Sequence, residues 1–457
     1  MVFIIADDVS WNDFGCYGNE DVNTPHIDRL AESGMRFTNV YLTASSCSPS
    51  RTSIISGRYP HNTGAPELHM PLPGHLDIFP EQLQQAGYYT GASGKWHMGE
   101  PAKRGFDTLV ISGDLVGPGG EDQWVNLLRE RPKDRPFFFW FAAFDAHRGW
   151  SADTCENPHK PGELSVPAGL ADRPATRQDL ASYYNEIQRF DRYVGAVYET
   201  LMSQGVADNT LIIVMADNGR PFPRAKTRVY DSGMKTPFVV WWPRGIARPG
   251  AVCDAMVSMV DLAPTLVEMA GEEPSGSYQG RSFQQLFREP GRDFRTYVFS
   301  EHNWHDYEAY ERMVRTGSSL YLINRRPQFP NAGPADAVTS PSMQDLKRLR
   351  DSGLLNPEQK DVFLVPRPEE ELYDCRIDPG QVTNVVEDPR YSKQRQELRA
   401  ILSRWQRETG DTEPDSLTPS WYLRDTTAYV KTPMHGIRGE TPGAANNADE
   451  VLEGGPF

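Results

Sequence analysis

Four apolar runs in the chain are each followed directly by polar residues that can do chemistry. The runs are VFIIA at 2–6, GYYTGASG at 87–94, FFFWFAAF at 137–144 and LIIVMA at 211–216. The polar residues that follow them are Asp7 and Asp8, then Lys95 and His97, then His147, and last Asp217 and Asn218. Continuous apolar runs of this length are typical of strands covered on both faces, as in a parallel sheet.

Segments with helical patterning lie between these runs, at residues 27–33, 50–56, 79–86 and 177–204. Alternating strands and helices predict an α/β fold with a doubly wound mixed or parallel sheet sandwiched by helices. Ligands of such sheets bind outside the carboxyl ends of the strands. We therefore expect the four polar clusters to meet at one edge of the sheet, although they are far apart along the chain.

The pattern changes across a Gly-, Pro- and Glu-rich stretch at 271–292. Beyond it, short strands are predicted at 296–300, 313–316, 320–324 and 371–374, an amphipathic helix at 389–408, and an irregular end from about residue 410. These features predict two domains. A catalytic α/β domain would span 1–290, and a smaller C-terminal α+β domain with a short antiparallel sheet and an irregular tail would span 291–457.

Composition narrows the possible partners. The formal net charge of −15 over 457 residues argues against a protein that coats nucleic acid, although a locally positive cleft can still bind an anion. No apolar run approaches the ~20 residues of a membrane span, so we expect no membrane partner. Five scattered cysteines allow at most one or two disulfides. No basic leader precedes the first strand. We expect a periplasmic or secreted protein if a signal peptide was trimmed, and a cytoplasmic one otherwise.

The most specific motif is SCSPSRTSIISGR at 46–58, which contains Cys47 and Arg51. Taken alone, it describes a buried cysteine at a helix N-terminus, with Ser48 as cap and Pro49 in the first turn. The string CSPSR, however, matches the C-x-P-S-R signature of type I sulfatases, and the continuation TSIISGRYPHNTG resembles theirs as well. The chain thus resembles a formylglycine-dependent sulfatase of the alkaline-phosphatase-like superfamily.

This resemblance implies that a separate formylglycine-generating maturation enzyme oxidises Cys47 to an aldehyde, which is hydrated to a geminal diol. One hydroxyl would attack sulfur, and the other would later lose its proton and expel sulfate as the aldehyde re-forms. A plain serine would instead leave a stable sulfate ester that needs a second hydrolysis.

Asp7, Asp8, Asp217 and Asn218 form the predicted metal set, together with the oxygen made from Cys47. Paired acids are usually turn or cap residues, but two such pairs at the ends of buried runs favour a site. Hard oxygen ligands without histidine or thiolate suit Ca²⁺ or Mg²⁺ rather than Zn²⁺. The resemblance favours Ca²⁺.

The resemblance also assigns roles to five further residues. Arg51 would orient the diol and contact the metal ligands, while Lys95 and Lys226 would bind the sulfate oxygens. His97 would assist the elimination of sulfate, and His147 would protonate the leaving group. Lys235 competes with Lys226 for the sulfate role, and the spacing of Lys226 to the Gly-rich turn before Pro237 favours Lys226.

Within the family, DNGRPFPRAKTRVYDSG at 217–233 and ELYDCRIDPGQVTNVVEDPRY at 371–391 are similar to the N-sulfoglucosamine sulfohydrolase (sulfamidase) branch. That branch has Arg at the position of Lys226 and Cys at the position of Gly149. The resemblance implies a sulfated saccharide substrate, with His69, His302 and His305 in the pocket walls. A homodimer is compatible with the sequence, which leaves the oligomeric state open.

Three alternatives to a sulfamidase remain open at this point. The first is an O-sulfatase that acts on a sulfated polysaccharide. The second is a phosphodiesterase or phosphonate monoester hydrolase of the same superfamily, which uses the same scaffold. The third is a sulfated-glycan binding protein with a dead site, which the occupation of every expected catalytic position disfavours.

Overall fold

The fold is known from a computed structural model that describes residues 1–111, 116–150, 157–331, 333–424, 429–437 and 447–457. Within these residues, eight strands form the central sheet. They are β1 (Val2–Ala6), β2 (Met35–Tyr41), β3 (Tyr89–Gly94), β4 (Thr108–Val110), β5 (Phe137–Ala142), β6 (Ile212–Ala216), β7 (Lys235–Trp241) and β8 (Ala251–Ser258).

The spatial order of the strands is β4-β3-β5-β1-β6-β7-β2-β8. Neighbouring strands are parallel except on both sides of β7, which runs against β6 and β2. The four runs singled out in the sequence are therefore neighbours, since β3, β5, β1 and β6 are adjacent and parallel. Their carboxyl ends share one edge.

Both faces of this sheet are covered, which explains the continuous apolar runs. In β1, Phe3 and Ile5 join one core cluster, whereas Val2, Ile4 and Ala6 join the cluster on the other face. The helices around the two sheets are α1 (Pro25–Ser33), α2 (Cys47–Ser56), α3 (Phe79–Gln85), α4 (Trp124–Glu130), α5 (Pro174–Ser203), α6 (Asp231–Met234), α7 (Leu262–Met269), α8 (Ala335–Val338), α9 (Pro341–Asp351), α10 (Pro357–Lys360) and α11 (Ser392–Glu408).

Helices lie on both sides of the sheet, as a doubly wound fold requires. α1, α4 and α5 bury their apolar residues in the cluster that contains Ile4, and α2, α3 and α7 bury theirs in the cluster that contains Ile5. The predicted α/β class is confirmed. The apolar pattern did not predict β2, β4, β7 and β8, although β2 and β7 lie inside the sheet.

A second, antiparallel sheet has the order β12-β11-β10-β9. Its strands are β9 (Val298–His302), β10 (Glu311–Arg315), β11 (Ser319–Asn324) and β12 (Glu370–Asp374). α11 packs on it through Trp405, which stacks on Phe299 with the ring centroids 5.1 Å apart. The small predicted sheet is thus present. Tyr41 of β2 and Val298 of β9 belong to one buried cluster, so the two sheets share a core, and the boundary at residue 290 stays a prediction.

Two sequence expectations need comment. The helix after the signature motif begins at Cys47 rather than at residue 50, so Ser46 precedes it and Ser48, the expected cap, lies inside the first turn. Among the described residues, Cys16, Cys47, Cys253 and Cys375 are free thiols, and Cys155 lies outside those residues. Across the described ranges, the helices are too short or too polar to cross a membrane.

Candidate active site

The acidic residues after β1 and β6 lie side by side because these strands are parallel neighbours. Asp7, Asp8, Asp217 and Asn218 are all buried. The backbone amide of Asp8 donates to Asp217 Oδ1 at 3.2 Å, and Asn218 Nδ2 donates to Asp8 Oδ1 at 2.5 Å. Three carboxylates out of water in so small a volume need cations nearby, because burial without compensation is costly.

Cys47 occupies the first position of α2 and points at this acidic cluster. Its Sγ lies 3.6 Å from Asp7 Oδ1 and 3.9 Å from Asp8 Oδ1. Burial raises the pKa of the thiol well above its usual value, while the ammonium of Lys95 opposes the shift. An unmodified Cys47 is therefore a poor nucleophile, because the reactive species is the thiolate.

Arg51 lies one turn after Cys47 on the same helix and is fully buried. Its Nε donates to Asp217 Oδ2 at 2.8 Å, and its Nη1 donates to the carbonyl oxygen of Lys95 at 3.1 Å. Arg51 thus connects α2 to the ends of β6 and β3. The spacing of four residues in CSPSR places the cysteine and the arginine on one face of the helix.

Two lysines pair with different carboxylates of the cluster. Lys95 follows β3 and pairs with Asp7, and Lys226 lies 2.7 Å from Asp8 Oδ2. Although burial acts to lower it, the charges of Asp336 and Asp8 raise the pKa of Lys226 well above its usual value. Lys235, the competing candidate, instead lies over the ring of Trp11, with Nζ 4.2 Å from the centroid.

His97 and His69 form a pair beside Lys95. His97 Nε2 and His69 Nδ1 share a hydrogen bond of 2.6 Å, and the backbone amide of His69 donates to Ser48 Oγ. Burial and the charge of Lys95 lower the pKa of His97 well below its usual value. His97 is therefore a neutral base rather than a cation in this environment.

The two other predicted pocket histidines have different positions. His305 shares a 2.7 Å hydrogen bond through Nδ1 with Ser46 Oγ, directly before Cys47. His302 lies in β9 with its ring 5.3 Å from that of Tyr307, and it is buried. The structure thus places His69 and His305 beside the signature helix, and His302 in the packing of the small sheet.

His147 follows β5 and lies at the more open side of the site, with its side chain 39% exposed. Its Nε2 is 4.0 Å from Asp336 Oδ2, which also lies 3.2 Å from Lys226 Nζ. Although burial acts to raise it, the charges of Lys226 and His147 lower the pKa of the Asp336 carboxyl. The sequence motifs did not point to Asp336, which lies outside all of them.

Aromatic side chains cover the signature cysteine. Leu68 and Trp304 pack with Cys47, and Trp421 adds to them from the C-terminal segment. The rings of Trp304 and Trp421 are 5.0 Å apart, and Trp304 Nε1 donates to the carbonyl of Pro419. Cys47 is consequently only 2% exposed.

The donor set fits a hard divalent cation. Atoms of Asp7, Asp8 and Cys47 lie within 4.8 Å of one another. Asn218 Oδ1 is buried and accepts no hydrogen bond from the part of the chain that the structure describes, so it is available as a further oxygen ligand. Carboxylate and amide oxygens are the donors that Ca²⁺ and Mg²⁺ prefer. Arg51, Lys95 and Lys226 then leave positive charge beside the ion position, which suits an anionic substrate.

Comparisons with known proteins agree with this geometry. The Sulfatase family model matches residues 1–117 and 121–272. The N-sulphoglucosamine sulphohydrolase of Homo sapiens is 31% identical over 95% of this chain and 94% of its own length. The ulvan-active sulfatase of Formosa agariphila is 30% identical over 93% of this chain and 79% of its own length.

A solved structure shows the same fold. It is BT4656 in complex with its substrate D-glucosamine-2-N,6-O-disulfate, with a TM-score of 0.70 and 21% identity, covering 91% of this chain and 99% of that one. The central sheet, the small antiparallel sheet and this neighbour together describe an alkaline-phosphatase-like α/β fold. With a family model that covers more than half of it, the chain belongs to the sulfatase family and is a sulfuric ester hydrolase.

Proposed function

We propose that this enzyme removes the N-linked sulfate of glucosamine in a sulfated saccharide, with a formylglycine made from Cys47 as nucleophile and Ca²⁺ as the metal. The substrate rests on the similarity to the human sulphohydrolase, which extends over nearly the full length of both chains. The chemistry rests on one observation: the Cys47 side chain lies against Asp7 and Asp8, which pair with the buried cations Arg51 and Lys226.

The site residues act on two sides of the scissile bond, the sulfate and the leaving group. On the sulfate side, Lys95 and Lys226 offset the charge that develops on the sulfate oxygens, a contribution of several kcal/mol in sites of this kind. Arg51 holds Asp217, and through it the acidic cluster, in a fixed orientation. When bound to Asp7, Asp8, Asp217 and Asn218, the cation would act as a Lewis acid on the nucleophile and on a sulfate oxygen.

Proton transfers fall to the two histidines. His147 lies at the open side of the site, where it can protonate the leaving nitrogen or oxygen. His97 is half-buried and its lowered pKa keeps it neutral, so it can accept the proton that the hydrated aldehyde releases as sulfate is expelled. The hydrated aldehyde supplies the attacking hydroxyl and a second hydroxyl that lets the aldehyde re-form.

The decisive experiment is a panel of glucosamine saccharides that carry N-, 2-O-, 3-O- or 6-O-sulfate, with desulfation followed by chromatography. Selective loss of the N-sulfate is expected. An untouched N-sulfate with a cleaved O-sulfate would move the assignment to an O-sulfatase, a function favoured by the similarity to the ulvan-active sulfatase. Nitrophenyl sulfate and a nitrophenyl phosphodiester are assayed side by side. Dominant turnover of the phosphodiester would contradict both the sulfamidase and the O-sulfatase assignment.

Maturation is tested separately on protein expressed with a formylglycine-generating enzyme. The peptide that contains Cys47 should lose about 18 Da as the thiol becomes an aldehyde, which lies outside the usual oxidation ladder of cysteine. Cys47→Ala serves as the matched control and should have no turnover. Turnover that survives Cys47→Ala would refute the assigned nucleophile, and binding of a sulfated glycan without any turnover by the wild-type enzyme would favour a dead site.

A further inference from the structure

Asp336 is an acidic residue at the site that the metal set does not use. It belongs to α8 in the C-terminal part of the chain, and its Oδ1 accepts the backbone amide of Ala337. Its Oδ2 lies 3.2 Å from Lys226 Nζ and 4.0 Å from His147 Nε2. One oxygen is thus fixed to the backbone, and the other faces the side chains of the site.

Exposure separates Asp336 from the carboxylates of the metal set. The side chains of Asp7 and Asp8 are 0% exposed, whereas that of Asp336 is 22% exposed. His147, beside it, is 39% exposed. Asp336 therefore borders the open side of the site, where the rest of the substrate beyond the sulfate must lie.

A carboxylate at this place repels an anionic substrate, so its presence calls for a favourable contact with another part of the substrate. Sulfate oxygens are acceptors only, and an ionised carboxylate is also an acceptor only, so Asp336 gains nothing from the sulfate itself. Lys226 already has a carboxylate partner in Asp8 at 2.7 Å. The group that Asp336 favours is instead a hydrogen-bond donor on the far side of the scissile bond.

We infer that Asp336 selects a nitrogen-linked sulfate by accepting a hydrogen bond from the nitrogen of the leaving group. This inference rests on the proposed function. A sulfamate carries one N–H in the ground state, whereas the bridging oxygen of a sulfate ester carries no hydrogen. Next to that oxygen, the carboxylate contributes repulsion only.

The same contact continues through the reaction. As the hydroxyl oxygen bonds to sulfur, its own proton passes to water. The S–N bond breaks and its electron pair stays on nitrogen, which takes a proton from His147. The leaving group is then a primary amine, and protonation by water makes it an ammonium. Asp336 accepts a hydrogen bond in each of these states, and its pairing with the ammonium is the strongest, because charge-assisted hydrogen bonds are stronger than neutral ones.

The test compares Asp336→Asn with the wild-type enzyme on N-sulfoglucosamine and on nitrophenyl sulfate. For the sulfamate, kcat/KM should fall about 10- to 100-fold, the size of a lost charge-assisted hydrogen bond. For the aryl ester, kcat/KM should stay the same or rise, because a negative charge has been removed from a site that binds an anion. Falls of equal size on both substrates, or an unchanged rate on the sulfamate, would overturn the inference.

Asp306→Asn is the matched control. Asp306 Oδ2 accepts the backbone amide of Ala335 at 3.1 Å, so it holds the start of α8. Its backbone has a φ of +63°, a conformation that asparagine tolerates well. This variant should leave the ratio of the two rates unchanged. If it shifts the ratio as much as Asp336→Asn does, the placement of α8 is responsible and the inference is wrong.

A second readout does not depend on sulfamate cleavage. Glucosamine should inhibit nitrophenyl sulfate hydrolysis by the wild-type enzyme, and in Asp336→Asn its inhibition constant should rise at least about tenfold, while that of glucose stays the same. Equal glucosamine inhibition in both enzymes would overturn the inference. If the wild-type enzyme cleaves the aryl ester but no sulfamate, the proposed function is wrong. The inhibition by glucosamine then still tests whether Asp336 binds the amine. Asp336→Ser provides a second variant if Asp336→Asn does not fold.

Discussion

Replacing Arg51 by methionine tests whether the guanidinium is the main cation that stabilises the buried acidic cluster. Arg51 is fully buried; its Nη2 lies 2.8 Å from Asp217 Oδ2 and 4.0 Å from Asp7 Oδ1. Burial and the charge of Asp7 already raise the pKa of Asp217, and Arg51 opposes that shift. Methionine fills a similar volume but leaves Asp217 without its closest cation.

Removing one partner of a buried ion pair costs about 3–5 kcal/mol, because the other charge stays buried. For a chain of 457 residues, the entropy of unfolding is about 1 kcal/mol per degree. Arg51→Met should therefore lower Tm by about 3–5 °C at pH 7 in EDTA. Added Ca²⁺ should reduce the difference, because a divalent ion compensates the same carboxylates.

Thermal unfolding followed by circular dichroism measures this shift. Lys393→Met is the control: its pair with Glu397 is 3.7 Å long, its side chain is 90% exposed, and Tm should not change. Arg51→Lys should give an intermediate value, since lysine keeps the charge but lacks the planar fork that contacts Asp217 and the Lys95 carbonyl together. An unchanged Tm for Arg51→Met in EDTA would refute the reasoning.

Three further outcomes are expected. Lys226→Met should lower kcat/KM for nitrophenyl sulfate about 100- to 1,000-fold, whereas Lys235→Met should not; equal losses would contradict the choice of Lys226. EDTA should abolish turnover and Ca²⁺ should restore it. Full activity in EDTA would contradict the predicted metal site at Asp7, Asp8, Asp217 and Asn218. Burial and the charge of Arg424 lower the pKa of His302 to about 3. Between pH 6.5 and 3 the unfolded chain therefore binds a proton that the folded chain does not. The free energy of unfolding consequently falls as the pH drops through that window. His302→Gln should flatten the dependence of Tm on pH between 7 and 4, and an identical slope would show that another group is responsible.

The centre of the large sheet could be predicted from the sequence, because β3, β5, β1 and β6 are adjacent and parallel. The position of a residue at the end of a buried apolar run then determines its edge of the sheet. That rule brings Asp7 and Asp217 together without knowledge of any contact. β7 breaks the pattern: it runs antiparallel, and its sequence KTPFVVW contains a proline inside an apolar run, a signal against a central strand.

Residues that do not follow one of these strands could not be placed in this way. His69 and Asp336 reach the site from segments whose path depends on tertiary packing rather than on periodicity. His305 and His302 are only three residues apart, yet one contacts Ser46 and the other packs in the small sheet, because the chain leaves β9 between them. The roles assigned to the site residues stay predictions until the variants are measured.

The cover over Cys47 also has a consequence for the timing of biosynthesis. Trp304 and Trp421 follow Cys47 by 257 and 374 residues (304 − 47 and 421 − 47), so they are the last parts of its surroundings to be made. At typical rates of translation, the thiol stays uncovered for roughly ten seconds to just over a minute after its own synthesis. An oxidising enzyme must act within this interval or on a chain that is still open, because the folded protein leaves the sulfur only 2% exposed.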